Sequence, residues 1–142
     1  MLDKALERCS IWGPLFIRIP LGIIFIVHGS QKFFGAFGGP GISGFAGYLG
    51  KLGVPFPDLF SLVVALVEFF GGIAILAGFL TRWAALFISI DMIMAILLVH
   101  IVNGFFVSKG GAEFAFANLF MALSLLFTGA GEKCSMGKIR KS

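Results

Sequence analysis

Ionisable side chains stand inside the long apolar stretches of this sequence, where an unpaired charge is costly. Arg18 lies near the start of the first stretch, Glu68 in the middle of the second and Asp91 in the middle of the third. A guanidinium group within a bilayer needs a partner, and it can bridge carboxylates from two helices. We therefore predict a buried charge network of these three residues. Two interpretations stay open: a structural clamp, or a charged site for a polar headgroup or a proton.

A second set of polar residues lies toward the other end of the same stretches. His28 and His100 both come to ~24–26 Å from the face at which the first stretch begins, at ~1.5 Å per residue. The set also contains Gln31, Lys32, Asn103 and Glu113. Imidazole can donate to a quinone carbonyl or carry a proton near neutral pH, so these six residues form a candidate quinone pocket. The alternative is interfacial anchoring by snorkelling and capping groups.

Two features limit what these residues are expected to do. Asp91 and His100 are nine residues apart, which places them on opposite faces of an ideal α-helix and argues against one connected network. Two histidines are also fewer ligands than a metal site needs, so we predict no metal.

The composition is that of an integral membrane protein. Of the 142 residues, 58% are hydrophobic and only 13% are charged, whereas about a quarter of a soluble domain is charged. The formal charge of +4 comes in part from a basic C-terminal tail, a pattern that is typical of orientation signals and lipid contacts rather than of nucleic-acid binding. Cys9 and Cys134 form no C-x-x-C motif, so neither a zinc site nor a redox pair is indicated.

The elements that must position these residues are four apolar helices in a single domain, 1–142. We predict spans at 12–34, 58–80, 83–105 and 113–130, because ~20 apolar residues cross the hydrocarbon core. Short connections favour an antiparallel four-helix bundle, an all-α fold. Between the first two spans, a glycine-rich segment contains apolar residues at helical spacing and predicts a short interfacial helix. An interfacial helix over 1–11 and a basic tail over 131–142 flank the bundle, and the Gly71–Gly72 pair marks a face that packs against a neighbouring helix.

Basic residues predict the orientation. One side of the bundle carries Lys4, Arg8, Arg82, Lys133, Lys138, Arg140 and Lys141, and the other carries Lys32, Lys51 and Lys109. By the excess of lysine and arginine in cytoplasmic loops, we predict a multi-pass protein of the inner (plasma) membrane with both termini in the cytoplasm.

Several runs of the sequence resemble the DoxX family. They are R-I-P-L-G-I-I-F-I-V-H-G-S-Q-K-F-F-G from Arg18, G-V-P-F-P at the end of the glycine-rich segment, E-F-F-G-G-I-A-I-L-A-G-F-L-T-R-W-A-A from Glu68, and N-G-F-F with G-G-A-E-F after His100. The likeness covers nearly all of residues 12–135. It implies a small four-helix membrane protein related to the DoxD subunit of thiosulfate:quinone oxidoreductase, in a family linked with membrane redox complexes and with oxidative or thiol stress.

Three functional hypotheses follow from the residues and from this resemblance. The leading one is a membrane subunit or partner in quinone-linked redox or sulfur and oxidative-stress metabolism, with quinone as the candidate cofactor. The spans contain no cysteine pair, haem-ligand pair or flavin motif, so electrons would come from a protein partner or a diffusible quinone. The alternatives are a non-enzymatic scaffold or assembly subunit and a transporter of protons or small anions. Catalytic activity and a homo-oligomeric state stay open.

Overall fold

The computed structural model describes residues 6, 7 and 9–136, and this part of the chain is helical without a β-strand. Its α-helices are α1 (Gly13–Phe34), α2 (Gly41–Lys51), α3 (Pro57–Ala77), α4 (Thr81–Ala95) and α5 (Glu113–Thr128). Short 3₁₀ turns stand at Ser10–Trp12, Ala36–Gly38 and Val107–Lys109. Prolines occupy the first turns of α1 and α3, where the missing N–H costs no helical hydrogen bond.

The four long helices form an antiparallel bundle, as predicted. Helix α1 packs mainly against α3, α4 packs against α5 and α3, and α1 also contacts α5, which closes the ring. The short helix α2 packs on α1 and α3 and buries Ala46 and Leu49, which confirms the short amphipathic helix between the first two spans. We call the end at which α1 and α4 begin the tail end, and the opposite end, which carries α2, the loop end.

Glycines allow α1 and α3 to approach closely. A Cβ atom placed on Gly29 would lie 2.4 Å from the backbone nitrogen of Phe69, and one on Gly72 would lie 2.7 Å from that of Ile26. Because backbones meet at these points, a larger residue at either would force the helices apart. The prediction that the Gly71–Gly72 face packs against a neighbour is confirmed.

Helix α4 continues beyond its regular part. A π-helical turn at Ile96–His100 follows directly, and a 3₁₀ turn at Ile101–Asn103 comes next. A π turn takes one more residue than an α turn, since its hydrogen bonds join residues five apart. The turn therefore changes the direction in which His100 leaves the helix.

Among the described residues, three helical segments are long and apolar enough to cross a membrane: Ser10–Phe34, Pro57–Ala77 and Thr81–Asn103. Helix α5 is apolar but shorter, and its 16 residues extend over ~24 Å at ~1.5 Å per residue. These segments lie at the predicted spans. Most of the predicted interfacial helix, and residues 137–142 of the basic tail, lie outside the described residues.

Candidate functional site

Arg18 lies at the tail end of the bundle and is completely buried. Its Nε and Nη2 atoms donate to the carbonyl oxygens of Ile75 (2.8 Å) and Leu76 (2.7 Å) at the end of α3. The remaining hydrogen bonds, of 2.8 to 3.1 Å, go to carbonyl oxygens of the segment after α5: Ala130, Lys133 and Cys134. The guanidinium group thus uses its donors on backbone acceptors of two chain segments.

This arrangement corrects the predicted charge network. Within the described part of the chain, Arg18 forms no ion pair with a carboxylate. The last carbonyls of a helix have no partner within it and carry its negative dipole end, so they satisfy Arg18 in place of acids. Glu68 lies seven residues before Ile75 on the same helix, or ~10 Å farther along the bundle. Arg18 is a structural clamp, separated from the two acids.

A cavity of about 630 Å³ lies inside the bundle, toward the loop end. Volumes of roughly 300–1,000 Å³ are usual for small-molecule sites. All five helices contribute to its wall, which is largely aliphatic and aromatic. Its polar lining residues are His28, Lys32, Tyr48, Glu68, Asp91, His100 and Asn118.

The cavity wall reaches the lipid-facing surface between α3 and α4. Eight apolar lining residues are also more than a third exposed. Six of them lie on α3 or on α4 and its continuation: Phe60, Val63, Phe87, Ile90, Met94 and Leu98. The two helices meet closely nearer the tail end, where a Cβ atom on Gly71 would lie 3.1 Å from Cδ1 of Ile88. Exposed cavity residues of both helices lie beyond this contact, so this side of the cavity faces the hydrocarbon of a bilayer.

Lys32 and Glu68 form an ion pair across the cavity. The distance from Lys32 Nζ to Glu68 Oε2 is 2.5 Å, and the side chain of Glu68 is only 4% exposed. The ammonium group also lies 5.3 Å from the centre of the Phe45 ring on α2, within the range of a cation–π interaction. Lys32 therefore points toward the middle of the bundle rather than to the interface.

Asp91 completes this cluster from α4. Its carboxyl group lies beside Glu68 and within electrostatic range of Lys32. Its Oδ2 atom is buried and has no hydrogen-bond partner among the described residues. Two acids and one lysine thus meet near mid-depth, and one acid oxygen is left available to a ligand.

Asn118 is a cavity residue that our sequence-based site did not include. It is 1% exposed, and its Oδ1 atom has no hydrogen-bond partner within the described chain. A single asparagine in the middle of an otherwise apolar helix was the signal that could have found it, because a buried amide is expected to be hydrogen-bonded. Tyr48, on α2, is the other polar lining residue absent from the prediction.

Both histidines of the predicted pocket line the cavity. The His28 ring packs against Phe114, with centroids 5.9 Å apart. His100 Nδ1 is 2.8 Å from the carbonyl oxygen of Gly110. The structure places His100 in the same cavity as Asp91, so the expectation that the two residues face apart is wrong, because the π turn changes the helical phase between them.

The other three predicted pocket residues hold the loop end together and do not line the cavity. Glu113 Oε2 accepts a hydrogen bond of 2.9 Å from the backbone N–H of Val107. Asn103 Nδ2 donates to the carbonyl oxygen of Val99 at 3.3 Å. Gln31 packs so closely on Gly39 that a Cβ atom there would lie 2.5 Å from its Cα. The positions of these three residues agree with the alternative of interfacial capping and anchoring rather than with a ligand pocket.

The described residues contain no cluster of three or more histidine, cysteine or acidic side chains that could hold a metal ion. The polar groups of the cavity are instead suited to an organic molecule. The apolar wall would hold its body, while the acids, the lysine, the histidines and Asn118 would meet its polar atoms.

The apolar helices, their antiparallel packing and the internal cavity define a small integral membrane protein with a candidate ligand site. The chain belongs to the DoxX family, whose model matches residues 13–101. It is 32% identical to "Putative oxidoreductase CatD" of Bacillus subtilis, over 83% of this chain and 80% of that protein. It is 34% identical to "Uncharacterized membrane protein Rv3486" of Mycobacterium tuberculosis, over 81% and 74% respectively. It is also 40% identical to "Inner membrane protein YqjF" of Escherichia coli, over 62% of each chain. No solved structure matches significantly.

Proposed function

We propose that this protein binds a lipid-soluble quinone in the bundle cavity and is the membrane subunit or partner of a quinone-linked redox system. The observation that carries the proposal is the cavity itself, which is apolar, of ligand size and open sideways to the bilayer, and which holds a polar cluster at its inner end. A quinone would enter from the lipid through the gap between α3 and α4. Its ring oxygens would then reach the polar side chains.

The chemistry of the cavity residues supports this assignment. Reduction of a quinone to a hydroquinone consumes two electrons and two protons. Asp91, His28 and His100 are groups that can exchange protons beside the ring. Electrons would be supplied by a partner protein, in sulfur or oxidative-stress metabolism, because the spans lack a cysteine pair or a flavin motif. The name of the Bacillus subtilis relative, "Putative oxidoreductase CatD", is compatible with this role.

Transport of protons or small anions is supported less well. The mid-depth cluster of Lys32 and two acids would suit a proton path. The path would have to continue to the tail end past Leu21, Ile75, Ile88 and Leu125, each 0% exposed in the core. A wall of tightly packed aliphatic side chains opposes the passage of charge. A site that is reached from the membrane fits this arrangement better than a channel or carrier.

The test is extraction of the bound lipid from protein purified in native nanodiscs, followed by mass spectrometry. We expect wild-type protein to retain quinone well above empty nanodiscs. Gly29→Ala should retain less, because its Cβ atom would meet the backbone of Phe69 and separate α1 from α3. Gly13→Ala, with open space at its Cβ position, should retain as much as wild type. Wild-type protein without quinone enrichment would contradict the proposal. Co-purification of a second protein in stoichiometric amount, without quinone, would favour the scaffold alternative.

A further inference from the structure

Hydrogen-bond acceptors without donors gather in the cavity. Asp91 Oδ2 and Asn118 Oδ1 are both buried without a partner in the described part of the chain, and both residues line the cavity. They belong to neighbouring helices, α4 and α5. A buried acceptor that gave up its water without gaining a donor costs free energy, so the cavity is built for a molecule that supplies donors.

His100 adds a third acceptor. Its Nδ1 atom contacts the carbonyl oxygen of Gly110 at 2.8 Å. Because a carbonyl oxygen only accepts, Nδ1 must carry the hydrogen of this bond. In a neutral imidazole the other nitrogen, Nε2, is then an acceptor.

Lys32, the cation of the cavity, already has partners. Lys32 Nζ is hydrogen-bonded to Glu68 and faces the Phe45 ring. The Lys32–Glu68 pair is also neutral as a whole, and a second cation brought to Asp91 would meet the lysine ammonium group. The missing donors are therefore best supplied by an uncharged group such as a hydroxyl.

We infer that the cavity binds the reduced, hydroxyl-bearing form of its ligand, a hydroquinone, in preference to the quinone. The inference rests on the proposed quinone site and names the form that the site favours. A hydroquinone donates two O–H groups, which Asp91 Oδ2, Asn118 Oδ1 and His100 Nε2 can accept. A quinone offers two carbonyl oxygens, which only accept, and it leaves Asp91 Oδ2 and Asn118 Oδ1 without a donor. Preferential binding of the reduced form makes a bound quinone easier to reduce than a free one.

Three probes of nearly the same shape test this preference directly. The full chain in lipid nanodiscs is dialysed to equilibrium, without oxygen, against each probe in a separate experiment. The probes are a short-chain benzoquinone, its hydroquinone kept reduced with dithionite, and the dimethyl ether of that hydroquinone. The ether keeps the ring but has no O–H donor. We expect the Kd of the hydroquinone to be about tenfold lower than that of either other probe, which is the effect of one hydrogen bond.

The outcomes separate this inference from the proposed function. Quinone binding equal to or tighter than hydroquinone binding would overturn the inference and leave the proposed quinone site standing. Binding of all three probes at the level of empty nanodiscs would overturn both. Equal binding of the hydroquinone and its ether would show that the O–H groups donate to nothing, and it would also overturn the inference.

Two variants identify the acceptors. Asn118→Leu removes one acceptor at similar size and should reduce the hydroquinone preference, while Asn103→Leu, outside the cavity, should not. Asp91→Asn introduces an N–H donor and should tighten quinone binding relative to hydroquinone. Its control is Asp58→Asn, at an exposed position at the start of α3. If both cavity variants keep the wild-type preference, the assignment is wrong. If either fails to fold, as judged by circular dichroism, the comparison of the three probes on the unmodified protein decides.

Discussion

Lys32 and Glu68 join α1 to α3 through an ion pair of 2.5 Å, and Asp91 on α4 lies against the same pair. Removal of the lysine would leave two carboxyl groups facing each other, whereas removal of Glu68 would leave the lysine with Asp91 as a new partner. We predict that Lys32→Met lowers the melting temperature in detergent more than Glu68→Gln does. Breaking a buried pair typically costs ~3–5 kcal/mol, and the Lys32→Met variant should approach that range.

The matched control for this comparison is Lys51→Met. Lys51 is an exposed lysine at the end of α2, and its replacement should change the melting temperature little. A larger effect of Glu68→Gln than of Lys32→Met would mean that Asp91 cannot replace Glu68 as the partner of the lysine.

Arg18 should be among the most sensitive positions of the protein. Arg18→Leu removes the donor of the Leu76 carbonyl oxygen and of those after α5, whereas the Ile75 oxygen keeps the N–H of Gly78. Each unsatisfied buried group costs ~1–3 kcal/mol. We therefore expect a loss of stability greater than that of Lys51→Leu, measured by thermal unfolding in detergent. Similar small effects of both variants would contradict the clamp.

Gly78 provides an independent test of the clamp. A Cβ atom on Gly78 would lie 2.5 Å from Arg18 Nη2, and the residue has φ +68°, which disfavours any side chain. We predict that Gly78→Ala displaces the guanidinium group and lowers the melting temperature. Gly47→Ala is the control, since nothing lies within 4 Å of its Cβ position and alanine favours a helix. Equal stability of the two variants would show that Arg18 can move at no cost.

Gly29 should control the spacing of α1 and α3. An alanine Cβ would lie 2.4 Å from the Phe69 backbone nitrogen, so Gly29→Ala must separate the helices and stretch the nearby Lys32–Glu68 pair. Overpacking of a tight core typically costs ~1–3 kcal/mol. We expect a destabilisation in this range by thermal unfolding, together with weaker ligand retention, while Gly13→Ala, with open space at its Cβ position, changes neither. Wild-type stability of Gly29→Ala would show that the two backbones can separate freely.

The predicted orientation can be tested with the two native cysteines, which are both exposed at the tail end. Because basic residues favour the cytoplasmic side, a membrane-impermeant thiol reagent should leave Cys9 and Cys134 unlabelled in intact cells and should label them after permeabilisation. A Ser108→Cys variant, at the loop end, should be labelled in intact cells. The reverse pattern would place both termini outside.

The sequence predicted how deep the charged residues lie in the bundle better than it predicted which groups they contact. The positions of Arg18, Glu68 and Asp91 along the spans predicted that all three meet, and the structure brings only the two acids together. The prediction took no account of the carbonyl oxygens at the end of α3, which bind Arg18 instead. Such acceptors are features of a helix end and belong to no particular residue type, so a search for acidic partners could not find them.

Which residues line the cavity depends on the side of its helix that each residue faces. His28, Lys32 and His100 were predicted to share a pocket, and they do line one cavity, which also takes in Glu68, Asp91 and Asn118. An ideal helix separates Asp91 from His100, and the π turn at Ile96–His100 brings both to the same side. No residue in that aliphatic stretch marks the turn, so its position could not be read from the sequence.

By itself, the sequence determined that the protein is a membrane-embedded bundle with a few polar residues in apolar helices, because span length and hydrophobicity are local properties of the chain. The tertiary structure decided which polar residues meet. Close contact at Gly29 and Gly72 sets the distance and rotation of α1 against α3, and the packing of all five helices leaves the cavity between them. Distance and rotation between helices depend on side-chain packing across the whole bundle, which pairs residues far apart in the chain and leaves no local pattern.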